Sequence, residues 1–305
     1  MEILALAHVQ KDFGELRVLR DLSFSVPEHS VFGLIGKNGA GKTTTMKLIL
    51  GFLRLSGGEI RVCGERVAYG GAKTNRHIGY LPDVPEFYGY MKPREYLKLC
   101  GQIAGMEPGR IRARTEELLA MVGLADARRR IGGFSRGMKQ RLGIAQALLG
   151  EPRLLICDEL TSALDPVGRK EVLDILSAAG QQTAILFSTH ILSDVERICD
   201  RIGILDKGRI VRQGKLSEIR NTYRQDTVRL ELAGKTGAER LSAACGRLPF
   251  VTKAAATENV VTLRLSDAEA QGRQILGLVL QEQAPLLKYE VLEPSLEDVF
   301  LEAVQ

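Results

Sequence analysis

At 305 residues, 45% hydrophobic and 26% charged, with a formal net charge of +5, the chain has the length of two domains and the balance of an ordinary soluble protein. No apolar run approaches the roughly eighteen residues that span a bilayer, and the opening Met1-Glu2-Ile3-Leu4-Ala5-Leu6 has no basic leader, so neither a membrane segment nor a secretory signal is expected. Five cysteines, far apart and without CxxC spacing, read as reduced thiols of a cytosolic protein, and few aromatics interleave with the basic residues, which argues against nucleic acid as a partner.

Up to about residue 85, short apolar runs alternate with turn residues and predict strands over 3–9, 16–26, 31–35, 60–62 and 78–81. After the third of these comes Gly36-Lys37-Asn38-Gly39-Ala40-Gly41-Lys42-Thr43, which fits the phosphate-binding loop G-x-x-x-x-G-K-[ST] at every fixed position, and Thr44 continues into a predicted helix. Such a turn aims backbone N–H groups and the positive end of a helix at one place. Lys42 adds a positive charge for the β- and γ-phosphates, and the Thr43 hydroxyl is placed to ligate Mg²⁺. The loop predicts that the chain binds a nucleoside triphosphate.

From Pro93 to Leu149 the apolar spacing becomes helical, broken by Glu107-Pro108-Gly109; the basic cluster Arg128-Arg129-Arg130 reads as a solvated helix end. Strand-like runs return over 154–157 and 183–188, with a helix over 168–179 between them. Asp206-Lys207-Gly208 between apolar runs predicts a hairpin. A polar stretch, 214–226, separates a C-terminal region read as strand 227–233, helix 237–245, strand 249–256, strand 259–265, helix 267–282, strand 286–292 and a helix from Ser295. That βαββαβ order suggests a small ferredoxin-like domain, read by default as a docking or dimerisation element.

Further motifs narrow the chemistry. The apolar run 154–157 ends in Asp158-Glu159, which puts two carboxylates at the C-terminal edge of a sheet. Asp158 can hold Mg²⁺ through water, and Glu159 can orient and polarise the attacking water. Phe134-Ser135-Arg136-Gly137-Met138-Lys139-Gln140-Arg141-Leu142 starts a helix that Ser135 caps well. This segment resembles the signature loop of ATP-binding-cassette (ABC) ATPases. Thr161-Ser162-Ala163-Leu164-Asp165 is similar to the family's D-loop, His190 after Ser188-Thr189 to its switch histidine, and Phe13 to the aromatic that stacks on adenine.

The resemblance over residues 1–220 implies an α/β fold: a RecA-like P-loop core with an antiparallel β subdomain and a helical subdomain at about 88–150. Residues 221–305 would then form the small α+β accessory or dimerisation domain. It further implies ATP and Mg²⁺ as ligands, and a homodimer in which each ATP is sandwiched head to tail between the phosphate loop of one copy and Ser135, Arg136 and Gly137 of the other. Three positions depart from the pattern. Asp83 stands at the Q-loop glutamine, where an acid can hold a metal-bound water but offers no amide donor. Arg136 and Met138 replace a signature glycine and glutamine, and Leu160 replaces the proline after the catalytic glutamate. The ending Glu293-Pro294-Ser295-Leu296-Glu297-Asp298-Val299-Phe300-Leu301 looks like the drug- and peptide-resistance exporters of the daunorubicin and bacitracin type. That branch implies a peripheral subunit on the cytoplasmic face of the membrane, docked on a separate permease. An ATP-binding sensor module with weak hydrolysis, or a non-transport ABC ATPase, is the alternative.

Overall fold

Residues 1–222, 226–292 and 295–304 are described by a computed structural model, in which the chain divides into two units, Met1–Ser217 with the residues from Phe300 on, and Glu218–Val299. The first unit opens with β1 (Glu2–Phe13) and β2 (Leu16–Pro27), an antiparallel pair. Strand β1 runs past the predicted end at Val9, because Lys11, Asp12 and Phe13 pair with Leu19, Arg17 and Leu16 of β2 through the backbone. Ladder hydrogen bonds need no apolar alternation, so the polar side chains hid this extension.

Then follow β3 (Val31–Ile35), α1 (Lys42–Ile49), β4 (Gly57–Val62), β5 (Glu65–Arg66) and β6 (Ile78–Leu81). The helical stretch resolves into α2 (Pro93–Ile103), α3 (Pro108–Met121) and α4 (Arg136–Leu148). Proline at the first position starts both α2 and α3, where its missing N–H costs nothing. Glu95 completes the start of α2 by accepting from the Lys92 N–H at 2.8 Å. The remaining elements of this part are β7 (Leu154–Asp158), α5 (Pro166–Ala179), β8 (Ala184–Thr189), α6 (Leu192–Ile198), β9 (Arg201–Asp206) and β10 (Arg209–Lys215), after which α7 (Leu216–Thr222) runs on into the second unit of the chain. Arg128–Arg130 does not end a helix. It lies in the loop between α3 and α4, where the Arg129 guanidinium sits 5.5 Å from the Phe134 ring centroid and 2.7 Å from the Met138 sulfur. A cation held by a ring and a thioether leaves no local signal in the pattern of charges.

The sheet runs β5-β4-β1-β2-β10-β9-β3-β8-β7-β6. Its first four strands are antiparallel, while β9, β3, β8, β7 and β6 are parallel. The two parts join where Arg209 of β10 pairs with Asp21 of β2. Every residue of β3, β7 and β8 is buried, the pattern of parallel strands covered on both faces. Because these three are neighbours and run the same way, the segments after Ile35, Asp158 and Thr189 emerge side by side at one edge.

In the second unit, β11 (Thr227–Leu232), α8 (Lys235–Cys245), β12 (Val251–Thr257), β13 (Val260–Leu265), α9 (Ala268–Gln281) and β14 (Leu286–Leu292) follow in turn, before α10 (Leu296–Ala303). The sheet order β12-β13-β11-β14, antiparallel throughout, is the ferredoxin-like arrangement read from the sequence. Val228, Leu230, Val261 and Leu263 on one sheet face pack with Leu241, Cys245, Ile275 and Val279 of the two helices. Asp267 caps α9 by accepting from the N–H groups of Glu269 and Ala270. Ser295 and Asp298 exchange hydrogen bonds at the start of α10. Glu293 and Pro294 of the C-terminal ending, and residues 223–225 of the polar stretch, lie outside the described residues. Among the described residues no helix is long and apolar enough to cross a membrane.

Candidate nucleotide site

The phosphate loop turns tightly between β3 and α1. Gly39 and Gly41 have φ of +82° and +114°, in the left-handed region that a side chain disfavours. A Cβ on Gly36 would stand 2.6 Å from the Leu205 carbonyl oxygen, so the loop packs directly on β9. Lys42 is buried, and its ammonium donates to the Gly36 carbonyl at 2.6 Å and more weakly to that of Lys37 at 3.3 Å. Thr45 fastens the helix start by donating to the Gly41 carbonyl at 2.9 Å. Above the loop opens a cavity of about 500 Å³, lined by Asn38, Gly39, Gly41, Lys42, Thr43 and Thr44 together with Val18, Asp83, Glu159, Ser162 and His190.

Glu159 is the centre of that cavity's charge. One carboxylate oxygen lies 3.0 Å from the Lys42 ammonium, the other 2.7 Å from His190 Nδ1. Its backbone is in the left-handed region at φ +49°, held there by N–H donation to the Ser188 carbonyl at 3.0 Å. Asp158 does not line the cavity; it is buried behind it and accepts from the Ser188 hydroxyl at 2.5 Å. Burial, with Asp158 beside it, pushes the Cys157 thiol well above its ordinary range. Asp83 accepts from the Ser162 hydroxyl at 3.3 Å, and Ser162 in turn donates to the Glu159 carbonyl at 2.9 Å.

The remaining candidates lie apart from this cavity's lining. Lys37 and Ala40 are in the loop but do not line the cavity: Lys37 is exposed, and Ala40 packs partly buried against the core. Phe13 is about half exposed, with the Lys11 ammonium 4.5 Å from its ring centroid. Ser135 caps α4 by accepting from the Met138 N–H at 3.2 Å. Arg136 lies 3.6 Å from Asp83; Ser135 and Arg136 are exposed and Gly137 is half-buried. Asp165 is exposed at the start of α5.

Sequence reasoning passed over Asp194. It is buried in α6 and accepts from the Thr161 hydroxyl at 2.6 Å and from Arg169 Nε at 2.6 Å, so it anchors the loop that follows Glu159. Nothing around Asp194 distinguishes it from a solvated helix acid; only the tertiary contact does. Among the described residues no cluster of three or more His, Cys, Asp or Glu could hold a metal unaided. The hard oxygens of Thr43, Asp158 and Asp83 suit Mg²⁺, which keeps waters and substrate phosphates among its ligands.

Residues 19–162 match the family described as ABC transporter, and residues 214–304 match the C-terminal domain of DrrA1-3-like ATP-binding proteins. The chain is 36% identical to the uncharacterized ABC transporter ATP-binding protein YxlF of Bacillus subtilis, covering 99% of each. It is 31% identical to the linearmycin resistance ATP-binding protein LnrL of Bacillus subtilis, over 98% of this chain and 97% of that one. The bacitracin transport ATP-binding protein BcrA of Bacillus licheniformis is 30% identical, over 99% and 97%. A solved ATP-binding subunit of an ABC transporter superposes with TM-score 0.66 at 34% identity, over 72% of this chain and 93% of its own. An ATP-binding cassette in its ADP conformation shares the fold at TM-score 0.63 and 24% identity, over 72% and 92%. Similarity along the whole chain, joined to a phosphate loop, an acidic strand end and a histidine at one sheet edge, places this protein among the ABC transporter ATP-binding subunits, which bind and hydrolyse ATP.

Proposed function

We propose that this ATPase powers a bacterial exporter, driving a separate integral-membrane permease that expels a drug, peptide or other hydrophobic compound. The observation that carries the chemistry is Glu159 poised between Lys42 and His190 in one cavity. In this reading the loop N–H groups and Lys42 hold the β- and γ-phosphates. Mg²⁺, when bound, offsets phosphate charge; the Thr43 hydroxyl would hold it, with Asp158 and Asp83 as further ligands through water. Glu159 takes a proton from water as its oxygen bonds to the γ-phosphorus, and the bond to the bridging oxygen breaks, leaving ADP and phosphate. His190 steadies the Glu159 carboxylate and reaches the γ-phosphate. Phe13 stacks on adenine.

The exposure of Ser135 and Arg136 supports a second copy supplying them, with Gly137, to this ATP, head to tail. Asp165 would then carry communication between the two sites. Residues 1–220 serve as the ATP-binding domain, with 88–150 as its helical part, and 221–305 as the accessory or dimerisation domain. Beside the nucleotide cavity, a second one of about 490 Å³ is lined by Val84, Pro85, Phe87 and Gln140, among others. Val84 is 61% exposed and nearby Tyr90 69%, an apolar surface suited to a permease helix at the cytoplasmic face of the membrane. The relatives named for linearmycin resistance and bacitracin transport favour export.

The test is co-expression with a candidate permease from the same genome. Wild type should co-purify with that permease from detergent-solubilised membranes, and Val84→Asp with Tyr90→Asp should abolish this without loss of ATP binding. A wild type that stays unpartnered sinks the transport reading. The competing sensor reading draws on Asp83, which lacks an amide donor; wild-type hydrolysis no faster than that of a Glu159→Gln variant would favour it.

A further inference from the structure

Asp83 puts a carboxylate on the wall of a cavity that must receive a triphosphate. Its main chain is clamped: the buried Gln140 side chain donates to the Asp83 carbonyl at 2.5 Å. The residue therefore cannot withdraw without moving α4. Two groups face the carboxylate, the Ser162 hydroxyl at 3.3 Å and the Arg136 guanidinium at 3.6 Å. Arg136 lines the second cavity and not the first, so it reaches the nucleotide site only through Asp83. The two side chains are 47% and 48% exposed, so their attraction is that of a solvent-screened pair.

We propose that Arg136 is a positioning residue for the ATP of its own subunit: it neutralises Asp83 and so lets an acid stand where polyphosphate must bind. The idea rests on the nucleotide-cavity reading above. It differs from the contact of Arg136 with a partner's ATP, because it acts within one chain and only through the Asp83 charge. Removing Arg136 then unmasks a negative charge beside the phosphates, and removing that charge as well cancels the defect. A purely structural role, or a contact made across the dimer, predicts no such cancellation.

The experiment titrates a fluorescent ATP analogue into dilute, monomeric full-length protein, in EDTA so that no metal bridges Asp83 to the phosphates. Wild type, Asp83→Asn, Arg136→Gln, Arg136→Lys and the Asp83→Asn/Arg136→Gln double variant are compared at low and high salt. Arg136→Gln should weaken binding about twofold to fivefold, the range of a screened charge pair. Arg136→Lys should restore most of it, and the double variant should bind as well as wild type or better. Added salt should shrink the Arg136→Gln defect, since the unmasked charge is then screened. If the double variant stays as weak as Arg136→Gln, or if Arg136→Gln binds normally, the proposal is overturned. If wild type itself takes up no nucleotide and Lys42→Ala changes nothing, the failure lies instead with the cavity as a nucleotide site.

Discussion

Replacing Glu159 with glutamine keeps the side chain's shape and removes its charge, and the two measurable consequences run in opposite directions. The carboxylate is 17% exposed and held at 3.0 Å by Lys42 and at 2.7 Å by His190. If Glu159 is the proposed general base, its loss should slow phosphate release at saturating Mg-ATP by about 10²–10⁴-fold. That corresponds to about 3–5 kcal/mol added to the barrier. Binding should move the other way. In the nucleotide-free site Glu159 is the negative charge that Lys42 faces, so incoming phosphates must displace it. A neutral amide competes less for the ammonium and repels the phosphates less. A screened pair is worth up to about 1 kcal/mol, so a gain of up to about fivefold in affinity is expected. Phosphate-release kinetics and a metal-free nucleotide titration read the two effects separately. A variant that hydrolyses at more than a tenth of the wild-type rate refutes the general-base assignment. One that hydrolyses slowly but binds more weakly refutes the displacement argument.

The other predictions probe how the site is held. Gly36→Ala forces a methyl to within 2.6 Å of the Leu205 carbonyl and should cost about 1–3 kcal/mol, with a lower Tm and weaker ATP binding. Gly137→Ala meets nothing within 4 Å and should melt like wild type, yet it should reduce the ATP-driven association of two copies measured by light scattering. Asp194→Ala leaves the buried Thr161 hydroxyl without its acceptor and the Arg169 guanidinium, itself 28% exposed, with the Ser193 hydroxyl alone of these two partners, and should cost about 2–4 kcal/mol. Calorimetry should record that as a Tm fall of about 5–15 °C. Burial pushes the Cys157 and Cys199 thiols far up, while an unfolded thiol releases its proton near about 8.5. Above that pH the folded chain holds more protons than the unfolded one, so stability falls as pH rises, by about 1.4 kcal/mol per pH unit for each thiol. Urea melts at pH 7.5 and 9.5 test this, and Cys199→Ala should lessen the drop. Maleimide at pH 8 should label these two thiols only after unfolding.

The fold was legible where backbone pattern and burial agree. The runs over 31–35, 154–157 and 183–188 are apolar at nearly every position because parallel strands are buried on both sides, and they became β3, β7 and β8. The C-terminal βαββαβ order was equally readable, since its strands alternate and its helices carry one apolar face. What escaped was held by contacts between residues remote in sequence. The end of β1 is polar and is a strand only because β2 pairs with it. Arg129 is fixed by Phe134 and Met138, and Asp194 by Thr161 and Arg169. Of the site, the glycine loop was legible because its backbone geometry restricts residue type. Ser162 and Ser188, whose hydroxyls aim Asp83 and Asp158, were not, because serine is common in any turn.

The strained backbone at Glu159 ties these observations together. A glutamate in the left-handed region, at φ +49°, costs about 1–2 kcal/mol that glycine would avoid. The strain is held by three bonds on either side of the turn. The Glu159 N–H donates to the Ser188 carbonyl at 3.0 Å, and its carbonyl accepts from the Ser162 N–H and hydroxyl at 3.2 and 2.9 Å. An ordinary extended continuation of β7 would send the side chain to one face of the sheet. The reversal instead swings the carboxylate over the end of β8 and β3, between His190 and Lys42. Strain of this kind persists only where its surroundings over-determine it. Here those surroundings are the same neighbouring strands that present the phosphate loop and the histidine. The sheet order therefore does more than gather three loops at one edge: it supplies the leverage that keeps the proposed catalytic base bent toward the place where the attacking water must be activated.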